Sequence, residues 1–304
     1  LSFETNNSST ALGPRSAGER NLDRTFKFLA RAGAFLIAFI LGAIAVLVLV
    51  RSWPAITAYG PQFILKSVWK PNSEPPDFGV WPAVYGTIIS SLLALAISVP
   101  IGLGIAIFLS EDYLPPPIQR IFVFLVELLA AVPSVVYGLW GIFVLIPFLG
   151  NISPVKGPAM LPAALVLAIM TLPIIAALSR DAIGNVPIDL RQASIGLGAT
   201  RWETILQVIL PAASSGIIGA VMLALGRALG ETMAVTMLIG NNNSKASLSI
   251  FEPSNTIASL LANQFAEASG LQVSALMYAG FILFVLTLSV NVLAELLVKH
   301  LQKI

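Results

Sequence analysis

Long uncharged apolar runs alternate with shorter polar, charged segments along most of the chain. Six runs are long enough for helices crossing about 30 Å of hydrocarbon, which takes ~20 residues. They fall at 32–50, 85–109, 121–148, 159–179, 209–239 and 272–297. The first is bounded by Arg31 and Arg51, the fourth by Lys156 and Arg180. The third is interrupted by Glu127 and Pro133, and a broken helix is tolerated in a membrane where it lines a cavity or is buried in protein. The pattern predicts an all-α integral membrane protein with six transmembrane helices in one domain over 21–304. Residues 1–20, rich in Ser, Thr, Asn and Gly, read as a disordered tail. The first run is long for a signal peptide and five more follow, so it reads as a retained helix.

Between the runs, the loops differ in kind. Residues 51–84 hold Pro54, Pro61, Pro71, Pro75, Pro76 and Pro82, which argues against one continuous helix. Residues 240–271 open with Asn241, Asn242 and Asn243 and contain a short helical stretch at 255–267, with Ser254 as its expected N-cap. Either loop could receive a partner or serve as a plain connection. The 180–208 loop is more specific. It reads as a helix with apolar Ile188, Leu190, Ile195 and Leu197, a break at Gly198, and a second helix from Thr200. Thr200 and Glu203 have capping-box spacing. A short helix lying across one face can dock in another protein's groove. With the N-terminus inside, eleven Lys and Arg fall in inner segments and five (Arg51, Lys66, Lys70, Lys156, Lys245) in outer ones, with Arg227 within the membrane. The positive-inside rule then places both termini and the 180–208 loop in the cytoplasm, with Trp53, Trp69 and Trp81 at the outer interface.

Composition narrows the classes. The chain is 57% hydrophobic and 11% charged, against about 25% charged in soluble domains, and its mean hydropathy is +0.88. Most of its surface must face lipid. A formal net charge of +2 argues against nucleic acid as partner. There is no cysteine and one histidine, His300, near the C-terminus, which reads as interfacial. That leaves no nucleophile–base pair or metal cluster, so the chain is not expected to be an enzyme or to bind a metal. No GxxxxGK[ST] loop is present, so ATP and Mg, if used, belong to another chain.

Arg227 and Glu231 are the exception inside an apolar stretch: 204–226 and 232–244 carry no charge. A charge at the bilayer centre costs roughly 2.5–3.5 kcal/mol and marks a polar pathway or pair. Four apart on a helix, the two share a face and can pair. From Pro211, Arg227 lies about 24 Å along a helix, near mid-membrane. With polar Thr232 beside them, they either line a path for a charged solute or form an ion pair that fixes packing. Glu127 either lines the inner vestibule or is an interfacial carboxylate. Gly226 and Gly230 form GxxxG, and Gly216, Ala220, Ala224 and Ala228 repeat at the same spacing. Such small residues let helices approach closely, within the chain or against a second subunit. Gly102 and Gly104, beside Pro100, are either packing glycines or a hinge.

Gln192-Ala193-Ser194, Gly198, Val208, Leu210 and Pro211 resemble the EAA loop of bacterial ABC importer permeases at the family's spacing throughout. Gln192 stands for Glu, Ser194 for Ala and Val208 for Ile; Gln192 keeps hydrogen bonding and loses charge. Residues 78–111, 126–148 and 224–241 resemble permeases of the phosphate-specific transport family, and the run Gly226 to Val235 is more similar to the C subunit than to the A subunit. The resemblance covers roughly residues 22–298. It implies a type I permease subunit in the bacterial inner membrane, paired with a different, A-type permease, two ATPase subunits and an external phosphate-binding protein. Gln192, Ala193, Ser194, Leu197 and Gly198 would then couple the ATPase, and Arg227, Glu231, Thr232 and Glu127 would line the phosphate path. Another oxyanion such as sulfate or molybdate is the first alternative. An ion-coupled secondary transporter is the second, against which no internal inverted repeat is visible.

Overall fold

The computed structural model describes residues 17–111 and 113–301, with side-chain burial from residue 22 to 296. Residues 1–16 of the expected tail, Lys303 and the side chain of His300 lie outside the described residues. Helix α1 (Ala17–Tyr59) begins inside the expected tail and continues through Pro54. Its residues up to Val48 form one unit, and the chain from Leu49 onward forms a second, larger one. The latter holds α2 (Gln62–Leu65), the strands β1 (Trp69–Lys70) and β2 (Asp77–Phe78), α3 (Trp81–Ser110), α4 (Pro116–Ala131), α5 (Ser134–Trp140), α6 (Ile146–Ile152) and α7 (Met160–Gly184). There follow α8 (Ile188–Gly196), α9 (Arg201–Thr204), α10 (Leu210–Gly230), α11 (Met233–Leu238), α12 (Ile257–Gln264) and α13 (Leu271–Leu301).

Among the described residues, six helical stretches are long and apolar enough to cross a membrane: Leu22–Tyr59, Trp81–Ser110, Ser134–Ile152, Met160–Gly184, Arg201–Gly230 and Leu271–Leu296. Large apolar side chains such as Phe124, Leu128, Phe143 and Phe148 are exposed on the larger unit, as an integral membrane protein requires. The third span starts after Pro133 and α4 ends at Ala131, so the expected break is real and 121–131 belongs to a separate helix. The fifth starts earlier than the 209–239 expected and stops at Gly230. Two π turns, Gly141–Leu145 and Ile205–Ile209, each end two positions before a proline, Pro147 and Pro211. A proline cannot donate to the preceding turn, and the wider turn absorbs the mismatch.

α7 is the most enclosed span and shares its most extensive contact with α3. Ala163, Ala164, Ala168 and Ala176 are buried on α7, and small residues permit this approach. Thr171 Oγ1 donates to Ser98 Oγ at 3.0 Å in the seam. Gly102 belongs to the same seam: a Cβ there would press on Ile175, so it is a packing glycine. A second core lies under the hairpin, where Phe63 stacks on Tyr278 with centroids 4.6 Å apart. The short helix after the asparagines is capped by Thr256, whose hydroxyl accepts from Ser259 N–H. Ser254 is not the cap; its buried hydroxyl has no partner among the described residues. Thr256 has the extended backbone an N-cap needs, and its N–H donates to Asn255 Oδ1 at 2.8 Å.

Candidate functional site

α10 presents two chemically different faces. Ala213, Ala220, Ala224 and Ala228 are buried within the chain, and a Cβ on Gly216 would meet Ala182 of α7. On the opposite side, Gly219, Gly226 and Gly230 have nothing within 4 Å of a Cβ position. Gly219 and Gly226 line a cleft of about 790 Å³ together with Ser215, Arg227, and Asn291 and Glu295 of α13. Among the described residues, nothing in this chain packs against the GxxxG pair. Asn291 and Glu295 had a legible signal: a carboxylate inside the last apolar run, four residues from an amide on one helical face.

Arg227 is exposed to the cleft. Among the described residues no hydrogen bond or ion pair holds its guanidinium, and none joins it to Glu231. The expected i,i+4 pair fails because the helix ends between them. Gly230 is the last residue of α10, and Glu231 turns extended at φ −66°, ψ 126°. The Glu231 carboxylate instead accepts from Ala234 N–H at 3.4 Å, at the start of α11. Thr232 donates to Gly230 C=O at 3.2 Å, within the break. Glu231 and Thr232 thus shape the turn beyond Arg227.

A second break interrupts the third expected span, between α4 and α5. Pro133, exposed, separates α4 from α5 and lets Tyr137 turn inward. Tyr137 O–H donates to Leu129 C=O at 2.8 Å, tying the two helices across the break. Tyr137 went unnoticed in the sequence, where an aromatic after a proline reads as core. Glu127 is exposed on α4 and is not among the residues lining the Arg227 cleft.

At one end of the bundle, the loop after α7 forms the expected helix, glycine turn and helix. Gly198 has φ +92°, a backbone state that side chains disfavour. The capping box is present: Thr200 Oγ1 accepts from Glu203 N–H at 3.3 Å, and Glu203 accepts from Thr200 N–H at 2.7 Å. Ile188, Leu190, Ile195 and Leu197 are exposed, Leu197 at 91%. Gln192 and Ala193 are also exposed, and Ser194 is half-buried with its hydroxyl 3.0 Å from that of Thr204. Such an apolar knob, pinned by a turn and a cap, suits docking to another protein.

A membrane bundle with this loop and a lone guanidinium in an open cleft has the architecture of an ABC importer permease. Solved structures agree in fold. A bacterial alginate ABC transporter, in complex with its pentasaccharide-bound periplasmic protein, aligns over 90% of this chain and 94% of its own, with TM-score 0.62 at 16% identity. An inward-facing MetNI methionine ABC transporter aligns over 73% and 94%, with TM-score 0.56 at 18% identity. The family model for the binding-protein-dependent transport system inner membrane component matches residues 98–303. The "Phosphate transport system permease protein PstC" of Mesorhizobium japonicum is 41% identical, covering 92% of this chain and 91% of that protein. That of Haemophilus influenzae is 41% identical over 93% and 95%. "PstC 2" of Mycobacterium tuberculosis is 38% identical over 91% of each. The chain belongs to the binding-protein-dependent inner-membrane transport components, in their PstC branch. It is a transport subunit, not an enzyme, and works with a partner permease, ATPase subunits and a substrate-binding protein.

Proposed function

We propose that this chain is one of two permease subunits that carry inorganic phosphate into the cytoplasm. The second permease is of the A type, different from this one, and two ATPase chains supply ATP and Mg chemistry at the α8 loop. Both termini and that loop face the cytoplasm. The 51–84 and 240–271 segments face outward, where a phosphate-loaded binding protein delivers its cargo.

The observation that supports this most is the unpartnered Arg227 in the open cleft. Its planar fork of donors suits two phosphate oxygens at once. In a low-dielectric path the positive charge lowers the barrier for an anion. Binding must stay weak enough for release, as in any conduction path. Gly226 and Gly230 keep the space beside the guanidinium free, and the Glu231–Thr232 turn sets where α10 ends. Radiolabelled phosphate uptake in cells relying on this importer tests the reading. Arg227→Ala should reduce uptake strongly with the complex still assembled, and Arg227→Lys should rescue poorly because the fork is lost. Normal uptake by Arg227→Ala at normal protein level would refute the role. Competition by sulfate or molybdate equal to that by phosphate would move the substrate to another oxyanion.

A further inference from the structure

Resting on the importer reading above, we propose that Arg191 is a positioning residue. Through Glu111 and Ile183 it makes α8 move as one body with the ends of α3 and α7, so that force on the loop reaches the spans. α8 buries no residue of its own. Its apolar side chains are exposed, so hydrophobic packing does not hold it to the bundle. Hydrogen bonds from two side chains do. Arg191 Nη1 donates to Glu111 Oε1 at 2.5 Å, and Arg191 Nη2 donates to Ile183 C=O at 2.7 Å. Ser194 and Thr204 hydroxyls add a third tie at 3.0 Å. Both members of the ion pair are only 19% exposed, so water and salt screen it weakly. Gln192, where the family pattern has Glu, lines the same small cavity as Glu111 and Arg191. The charge at this loop is therefore spent inward, one residue earlier, on the chain itself.

The anchor for Arg191 is firm. Glu111 caps the C-terminus of α3, its N–H donating to Ile107 C=O. Ser110 Oγ donates to Arg180 C=O of α7 at 3.2 Å, and Gln119 Nε2 of α4 donates to Leu109 C=O at 2.6 Å. The two helices gripped by Arg191 are those with the chain's most extensive mutual contact. A guanidinium can bridge two acceptors on different elements because its donors form a fixed fork; an ammonium is a point charge. Losing one partner of a shielded pair also leaves the other uncompensated, which keeps the joint closed while the spans move.

The test uses the whole complex in proteoliposomes, with phosphate-loaded binding protein outside, and reads phosphate uptake per ATP hydrolysed. If the unaltered complex shows no hydrolysis stimulated by loaded binding protein, the importer reading fails, whatever Arg191 does. Given a working complex, Arg191→Ala should lower uptake per ATP by about 5–150-fold, the span of typical coupling between sites. Arg191→Lys should recover only part, and the exchange Glu111→Arg with Arg191→Glu should exceed either single change. Unchanged uptake per ATP in Arg191→Ala, or an exchange no better than the singles, overturns the proposal. A second arm holds even if Arg191→Ala assembles poorly. The chain has no cysteine, so Glu111→Cys with Arg191→Cys can be bridged by a short bifunctional thiol reagent. Bridged complexes should keep uptake, because the joint stays closed through the cycle. Failure to bridge, or bridging that stops uptake, overturns it.

Discussion

Replacing Gly198 distinguishes two demands placed on one position. Its φ of +92° lies outside the range side chains favour, yet a Cβ there meets nothing within 4 Å. Within this chain the whole cost of a side chain is therefore backbone strain, about 1–2 kcal/mol for an ordinary residue. That corresponds to a factor of about 5–30 in the population of the native turn. A β-branched residue is penalised further at positive φ, and Asn tolerates it. If the turn geometry matters, Gly198→Asn should be mildest, Gly198→Ala intermediate and Gly198→Val worst. If the open space is filled by the docked ATPase, size decides instead, and Ala is mildest. The assay is ATPase recovered with affinity-purified permease, together with its stimulation by loaded binding protein. Gly198→Ala should cut stimulation by roughly the 5–30-fold worked above and Gly198→Val by more, while membrane insertion stays normal. If Gly198→Val leaves recovery and stimulation unchanged, residues 188–200 are not the coupling element.

Three further outcomes follow from the same geometry. Glu231→Gln should leave assembly and most uptake intact, because a Gln side-chain oxygen can still accept from Ala234 N–H; loss of the folded subunit in detergent would show that the charge itself holds the break. Ala224→Leu should lower the level of folded chain, since overpacking a closed seam costs about 1–3 kcal/mol, whereas Gly226→Leu should leave the chain folded but weaken co-purification of the second permease; equal effects would refute the two-faced description of α10. Cysteines replacing Asn72 and Leu248, both exposed, should react with an impermeant thiol reagent in intact cells, while a cysteine at Asn185 should react only after permeabilisation; the reverse labelling would invert the proposed orientation.

Local chemistry was the legible part. The Pro133 break, the Gly198 turn and the Thr200–Glu203 cap follow from residue types with strong backbone or hydrogen-bonding preferences, and all three are present. The end of α10 was not legible. Glu231 and Thr232 have no composition that stops a helix, and the apolar run continues through Leu238. Beyond the break, Ala234, Val235 and Leu238 are buried in one core with Tyr137 and Leu167, a placement that the run of residue types does not reveal. The roles of small residues were likewise ambiguous. Gly226 and Ala224 look alike at spacing-four positions, and only the neighbours of α10 decide which face is closed. The Arg191–Glu111 tie joins residues 80 positions apart, and nothing in periodicity selects one carboxylate for one arginine over that distance.

Two arginines show how differently the chain uses the same side chain. Arg191 is satisfied internally: it lies at the loop end, gripped by a carboxylate and a carbonyl, and its charge stabilises the link between elements. Arg227 sits in the last turn of α10, at the end of a long apolar run, and a charge held within the hydrocarbon costs roughly 2.5–3.5 kcal/mol. A chain selected only for stability would pair it or replace it with an apolar residue, since a buried pair gains little over hydrophobic packing. Neither has happened. The nearest carboxylate in sequence is turned to a backbone N–H, and the residue before Arg227 is a glycine that leaves the space beside it open. Among the described residues no hydrogen bond or ion pair holds Arg227, although Glu295 lines the same cleft, and the open side is where a facing subunit or an anion in transit would meet the charge. An anion in transit satisfies the charge briefly and leaves it free for the next, which is why an unpaired guanidinium suits a path and a paired one suits a joint.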